Sequence, residues 1–157
     1  MLTRGLVTAV LVAALDQLSK AAILAYFARR ALGEHEVVTS FFNLTLTYNR
    51  GISFGLFNGA AGLNALVFSL AAAAIVALLV LWLNRVESPF LAVAIGLIVG
   101  GAAGNVIDRI RLGAVVDFLD FHAGSLHWPA FNVADSAICI GVAAILLDGL
   151  LLRREAH

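Results

Sequence analysis

Long apolar runs, broken by short polar stretches, dominate this chain. Four are about 20 residues long, the length a helix needs to cross a hydrocarbon core. They run from Gly5 to Phe27, Leu63 to Leu83, Phe90 to Ile107 and Val133 to Leu152. The first, behind Arg4, has the outline of a cleaved signal peptide. It continues past Asp16 and Lys20 to Phe27, which suits a retained span. The turn at 84–89 joins the second and third runs, and Pro89 suits the first turn of a new helix. The connection after the first run, residues 28–62, is the longest. Within it, Asn43-Leu44-Thr45-Leu46-Thr47-Tyr48-Asn49 alternates polar and apolar, a period-two strand signal with threonines on one face. Gly51, Gly55 and Gly59 follow and predict turns or close backbone approach. The pattern predicts an all-α membrane protein, a four-helix bundle with a small β-sheet from the first loop on the membrane surface. An amphipathic connector is the alternative for that loop.

Composition supports the membrane reading. The 157 residues are 62% hydrophobic and 13% charged, with mean hydropathy +0.99. Soluble domains run near 45–50% apolar and about 25% charged. The length suits one domain over residues 1–157. Net charge is zero, which provides no basic field for nucleic acid. Cys139 is the only cysteine, so an intrachain disulfide and a Cys metal cluster are excluded; its apolar run predicts a packing role. His122 and His127 share a predicted loop without metal-ligand spacing, so no metal site is expected. No G-x-S-x-G elbow supports serine chemistry.

An even number of spans places both termini on one side. Arg4, Arg85, Arg153 and Arg154 would mark that side as cytoplasmic. Arg29, Arg30, Arg50, Arg109 and Arg111 fall on the other side, so some of them should serve structure or function rather than topology.

The polar residues inside the apolar runs form patterns. Gly96, Gly100 and Gly104 make a small-residue ridge of the kind that lets membrane helices approach closely. Gly101, Asn105 and Arg109 form a second row that turns polar beside Asp108. Asp16 and Lys20 stand at i and i+4, the favourable order for a helical ion pair. Asp117 and Asp135 each sit where an apolar segment meets a polar loop, 18 residues apart. Two carboxylates held close cannot both ionise at neutral pH. Sharing a proton, they provide a base for water and an acid for the leaving group. The alternative makes Asp135 a helix N-cap and Asp117 a salt-bridge partner. Asp120 and Asp148 are weaker candidates, Asp148 lying near Arg153.

Five motifs in order resemble the lipoprotein signal peptidase (signal peptidase II) family along the whole chain. They are Asp16-Gln17-Leu18-Ser19-Lys20, Tyr48 to Gly55, Gly100 to Arg109, Val115-Val116-Asp117-Phe118 and Trp128 to Ser136. The resemblance implies an inner-membrane aspartyl endopeptidase without cofactor. Its implied substrates are diacylglyceryl-modified prolipoproteins, cut just before the lipidated cysteine. It implies that Asp117 and Asp135 are the catalytic pair, with Asn49, Gly101, Asn105, Arg109, Asn132 and Ala134 around their pocket. It assigns Asp16 and Lys20 a supporting role. It also implies cytoplasmic termini, a periplasmic active site and a monomer among membrane lipids. A small membrane carrier, with Asp16, Lys20, Asp117 and Asp135 as a charge path, is the competing class.

Overall fold

The computed structural model describes residues 1–30, 34–50 and 61–155. The elements are α1 (Leu2–Phe27), β1 (His35–Thr39), β2 (Phe42–Asn49), α2 (Ala61–Leu83), α3 (Pro89–Leu112), β3 (Val115–Ala123), β4 (Leu126–His127) and α4 (Val133–Glu155). All four helices are long and apolar enough to cross a membrane. Gly51, Gly55 and Gly59 lie outside the described residues.

The helix ends follow local chemistry. Pro89 opens α3, and the Ser88 hydroxyl accepts a bond from the Leu91 N–H at 3.3 Å. Helix α3 runs five residues past the predicted Ile107. It stops where Gly113 takes φ 69 and returns its N–H to the Arg109 carbonyl.

Helix α3 is the centre of the bundle. Just over half of its span (56%) is buried, against 17% for α1 and α4 and 6% for α2. In lipid, no hydrophobic drive holds helix to helix, so close packing must do it. The glycine ridge supplies that packing against α1. A Cβ on Gly96 would lie 2.5 Å from the Gly5 carbonyl, and one on Gly100 2.5 Å from the Ala9 carbonyl. Gly101 and Gly141 do the same between α3 and α4, where added Cβ atoms would strike the Ala134 and Ala94 carbonyls. Outward faces carry Val10, Leu18, Leu78 and Leu146, all well exposed to the surroundings of the bundle. Cys139 is exposed on that exterior as well, so it does not pack in the bundle as the sequence suggests. A lipid-facing position is as apolar as an interior one, and hydropathy alone does not separate them.

The sheet is antiparallel in the order β1-β2-β3-β4. The first loop supplies only β1 and β2. Strands β3 and β4 come from the connection between α3 and α4, where the sequence predicts a loop. His122 and His127 are therefore cross-strand neighbours with stacked rings 4.9 Å apart. Ile23 and Phe27 of α1 form an apolar cluster with Val116 and Phe118 of β3, seating the sheet on the end of α1.

Candidate active site

Asp117 lies in β3 and Asp135 in the first turn of α4. What joins them is the segment between. The Phe118 and Leu119 amides donate to the Phe131 carbonyl at 3.0 and 2.8 Å, and the Phe131 amide donates to the Leu119 carbonyl at 3.1 Å. The chain before α4 is thus stitched along β3, which sets residue 132 beside residue 117. Asn132 is fully buried there. Its Nδ2 donates to Asp117 Oδ1 at 2.6 Å and to the Val116 carbonyl at 3.2 Å. Its backbone N–H donates to Asp135 Oδ2 at 3.3 Å, and its Oδ1 accepts from the Asp135 N–H at 2.9 Å. This is a reciprocal capping box. Asn132 is the cap and Asp135 the third helical residue, so the alternative of Asp135 as N-cap is corrected. Among the described residues, neither Asp117 nor Asp135 forms an ion pair.

Each carboxylate has a further amide donor. Asn49 Nδ2 reaches Asp117 Oδ2 at 3.0 Å, because the β2–β3 register sets Asn49 opposite Val115 and Thr47 opposite Asp117. Asn105 Nδ2 reaches Asp135 Oδ1 at 2.8 Å. Burial pushes the Asp117 carboxyl up to about 6, and the Asp135 charge adds to the rise. The amides of Asn49 and Asn132 and the Lys20 ammonium act in the opposite direction.

Behind these residues lies a closed charge cluster. Asp16 and Lys20 are 0% and 2% exposed. Lys20 Nζ contacts Asp16 Oδ2 at 2.8 Å, Asp108 Oδ2 at 2.8 Å and Asn105 Oδ1 at 3.0 Å. These three partners use all three ammonium donors. Asp16 Oδ1 accepts from the Ala134 N–H at 3.0 Å, at the opening of α4. Gly104 lets this happen: a Cβ there would lie 2.5 Å from Asp16 Oδ2. The sequence reading missed Asp108 as part of this machinery. A signal was present, since Asp108 follows Gly104 by four residues and so continues the ridge that faces α1.

Not every expected pocket residue lines an opening. Gly101 and Ala134 are buried in the α3–α4 contact and act through backbone proximity. Arg109 borders a groove of about 320 Å³ between α2, α3 and α4, with Phe68, Ala71, Ala102 and Asn105. On the sheet side a second cleft, about 350 Å³, is lined by Asn49, Arg50, Asp117, Pro129 and Ala130. Asp120 sits three residues beyond Asp117, on the opposite face of β3. It binds His127 Nδ1 at 2.8 Å and Asn43 Nδ2 at 3.0 Å, apart from the centre.

These features define a class: a multi-pass membrane protein in which a strand carboxylate and a carboxylate in a helix's first turn are bridged by one asparagine where the helices join the sheet. Comparison with known proteins narrows it. The family profile for signal peptidase (SPase) II matches residues 8–151. The lipoprotein signal peptidase of Ralstonia nicotianae is 50% identical over 139 residues, covering 87% of this chain and 78% of its own. That of Paraburkholderia phymatum is 46% identical over 150 residues, covering 95% and 89%. A solved structure described as a bacterial membrane enzyme superposes with TM-score 0.80 at 34% identity, covering 93% of this chain and 92% of the other. A second, described in the same way, gives TM-score 0.77 at 34% identity, covering 93% and 87%. The chain belongs to the signal peptidase II family.

Proposed function

We propose that the protein is an aspartyl endopeptidase of the bacterial inner membrane. It removes the signal peptide from diacylglyceryl-modified prolipoproteins, cutting just before the lipidated cysteine. One observation carries the mechanism: a single residue, Asn132, bonds the carboxylates of both Asp117 and Asp135. Two carboxylates so constrained share a proton. The ionised one takes a proton from water, and the hydroxide attacks the scissile carbonyl carbon. The protonated one donates to the developing oxyanion. Collapse breaks the C–N bond and a proton passes to the leaving amine. The amides of Asn49, Asn105 and Asn132 hold both carboxylates in place, so little reorganisation accompanies the reaction.

The apolar groove ending at Asn105 and Arg109 suits the membrane-embedded side of the substrate. The more polar cleft at Asn49 and Arg50 suits the segment leaving the membrane. Termini on the cytoplasmic side and the site on the outer side fit the arginines. Arg30 is engaged by Glu36 and Tyr26 and Arg111 by Gln17, so these outer arginines have structural work. The protein acts as a monomer among lipids, without cofactor. The carrier alternative is disfavoured because Asp16 and Lys20 are closed into one cluster rather than spread along a path.

The test is purified protein with a diacylglyceryl-modified prolipoprotein, beside Asp117→Asn and Asp135→Asn. Mass spectrometry should find the new N-terminus at the modified cysteine, and no product from either variant. Normal turnover by either variant would end the paired-carboxylate mechanism.

A further inference from the structure

Asp108 touches neither Asp117 nor Asp135, yet both are tied to it. Its Oδ2 accepts the Val116 N–H at 3.1 Å, one residue before Asp117. The same oxygen binds Lys20 Nζ at 2.8 Å. Lys20 in turn holds Asn105 Oδ1 at 3.0 Å, which fixes the amide so that its Nδ2 faces Asp135 at 2.8 Å. The other Asp108 oxygen accepts from Gln17 Nε2 at 2.9 Å. We infer that Asp108 is a positioning residue that sets the spacing of the two catalytic carboxylates, Asp117 through the β3 backbone and Asp135 through Lys20 and Asn105. The inference rests on the paired-carboxylate mechanism above.

The physical case is one of donors and acceptors. Asp108 is 2% exposed, and its carboxylate is satisfied by one ammonium, one amide side chain and one backbone N–H. The Val116 N–H is buried at the start of β3 and needs an acceptor. The ammonium has no donor left to search for another partner. Asn105 therefore has one favoured orientation, with oxygen to Lys20 and nitrogen to Asp135. Without the Asp108 charge, Lys20 loses a partner and Asn105 loses its fixed reference. The Val116 N–H is left with at best a neutral, weaker acceptor to pin the strand next to Asp117. A carboxylate moved by about 1 Å costs on the order of 100-fold in rate.

Among the described residues, the charges facing the pair are Lys20 on α1, Arg50 just after β2, Arg109 on α3 and the two carboxylates themselves on β3 and α4. Removing the negative charge of Asp108 leaves Lys20 less compensated. Its field then favours ionised Asp117, and the alkaline limb of the activity profile moves to lower pH.

The experiment measures kcat, KM and the pH profile of kcat/KM for Asp108→Asn on the lipid-modified substrate in detergent, with thermal unfolding alongside. The expected result is kcat lower by about 100-fold, KM within about threefold of wild type, and the alkaline limb displaced toward acid. Gln17→Leu is the milder variant. It removes the amide that donates to Asp108, Asp16 and the Gly104 carbonyl and accepts from Arg111, and it leaves the Lys20 ion pairs intact, so it should keep the fold and lower kcat by several-fold. A residue that merely supports folding would lower the active fraction and leave the shape of the profile unchanged. That outcome in both variants, or a raised KM with unchanged kcat, overturns the inference. Asp117→Asn and Asp135→Asn in the same assay separate the two failures, since activity in either would defeat the underlying mechanism whatever Asp108 does.

Discussion

Asn132 grips Asp117 with its side chain at 2.6 Å while capping the helix that carries Asp135. One residue thereby does the work of a cap and of a spacer between acids. Replacing it with Ala should cost about 1–2 kcal/mol from the lost cap. Activity should fall further than stability, by on the order of 100-fold in kcat. Thermal unfolding and turnover measured on the same preparation check this. A fall in kcat no larger than the loss of folded protein would count against the spacer role.

The pH dependence has a definite sign. Burial raises the Asp117 carboxyl to about 6 in the folded protein, against an ordinary value of 3.8. The folded state therefore binds more protons than the unfolded state between those values. Its stability falls as pH rises through that window. Asp117→Asn should lose this slope and gain relative to wild type as pH passes 6, as read by unfolding temperatures from pH 4 to 8. In wild type, kcat/KM should decline as the pair gives up its shared proton on the alkaline side of about pH 6.

Glycines on α3 differ from one elsewhere. Gly104→Ala would press a methyl group against Asp16 and unseat Lys20. Overpacking of this kind costs about 1–3 kcal/mol. It should lower activity along with stability. Gly149→Ala has nothing within 4 Å and should change neither. Equal behaviour of the two variants would refute the close-approach account.

The β3–β4 hairpin carries an acid-sensitive contact. Burial raises the Asp120 carboxyl, but hydrogen bonds from His127 and Asn43 outweigh it and leave it below its ordinary value. A depressed carboxylate stabilises above its unfolded value and loses that contribution as pH falls through the folded one. The hydrogen-exchange protection factors of residues 121–128 should therefore fall in acid. In Asp120→Asn they should already be low at neutral pH and respond little to acid.

Much of this arrangement is legible in the sequence. The four spans follow from run length, and β2 follows from its alternation. Strand β1, and the strands of Val115–Ala123 and Leu126–His127, are less legible. They are defined by pairing with residues distant in the chain rather than by local pattern. Asp16 and Lys20 declare themselves as an i, i+4 pair, whereas Asp108 reads as a flanking charge until its partner helix is in view. Gly101 and Ala134 resemble pocket residues by motif. They prove to be points of backbone approach, a distinction that only the α3–α4 packing makes.

The self-paired charges of α1 bear on how the protein is made. A first span holding Asp16 and Lys20 as neighbours carries no net charge into the bilayer, and its insertion is cheaper than that of two separated ions. Asp108 arrives later with α3, and the Ala134 amide that completes Asp16 arrives last, with α4. The centre is thus assembled from α1 and α4, 118 positions apart at the widest hydrogen bond among the described residues. A nascent chain that has not delivered α4 holds no pair of acids. The two carboxylates come together only once α4 has joined the bundle.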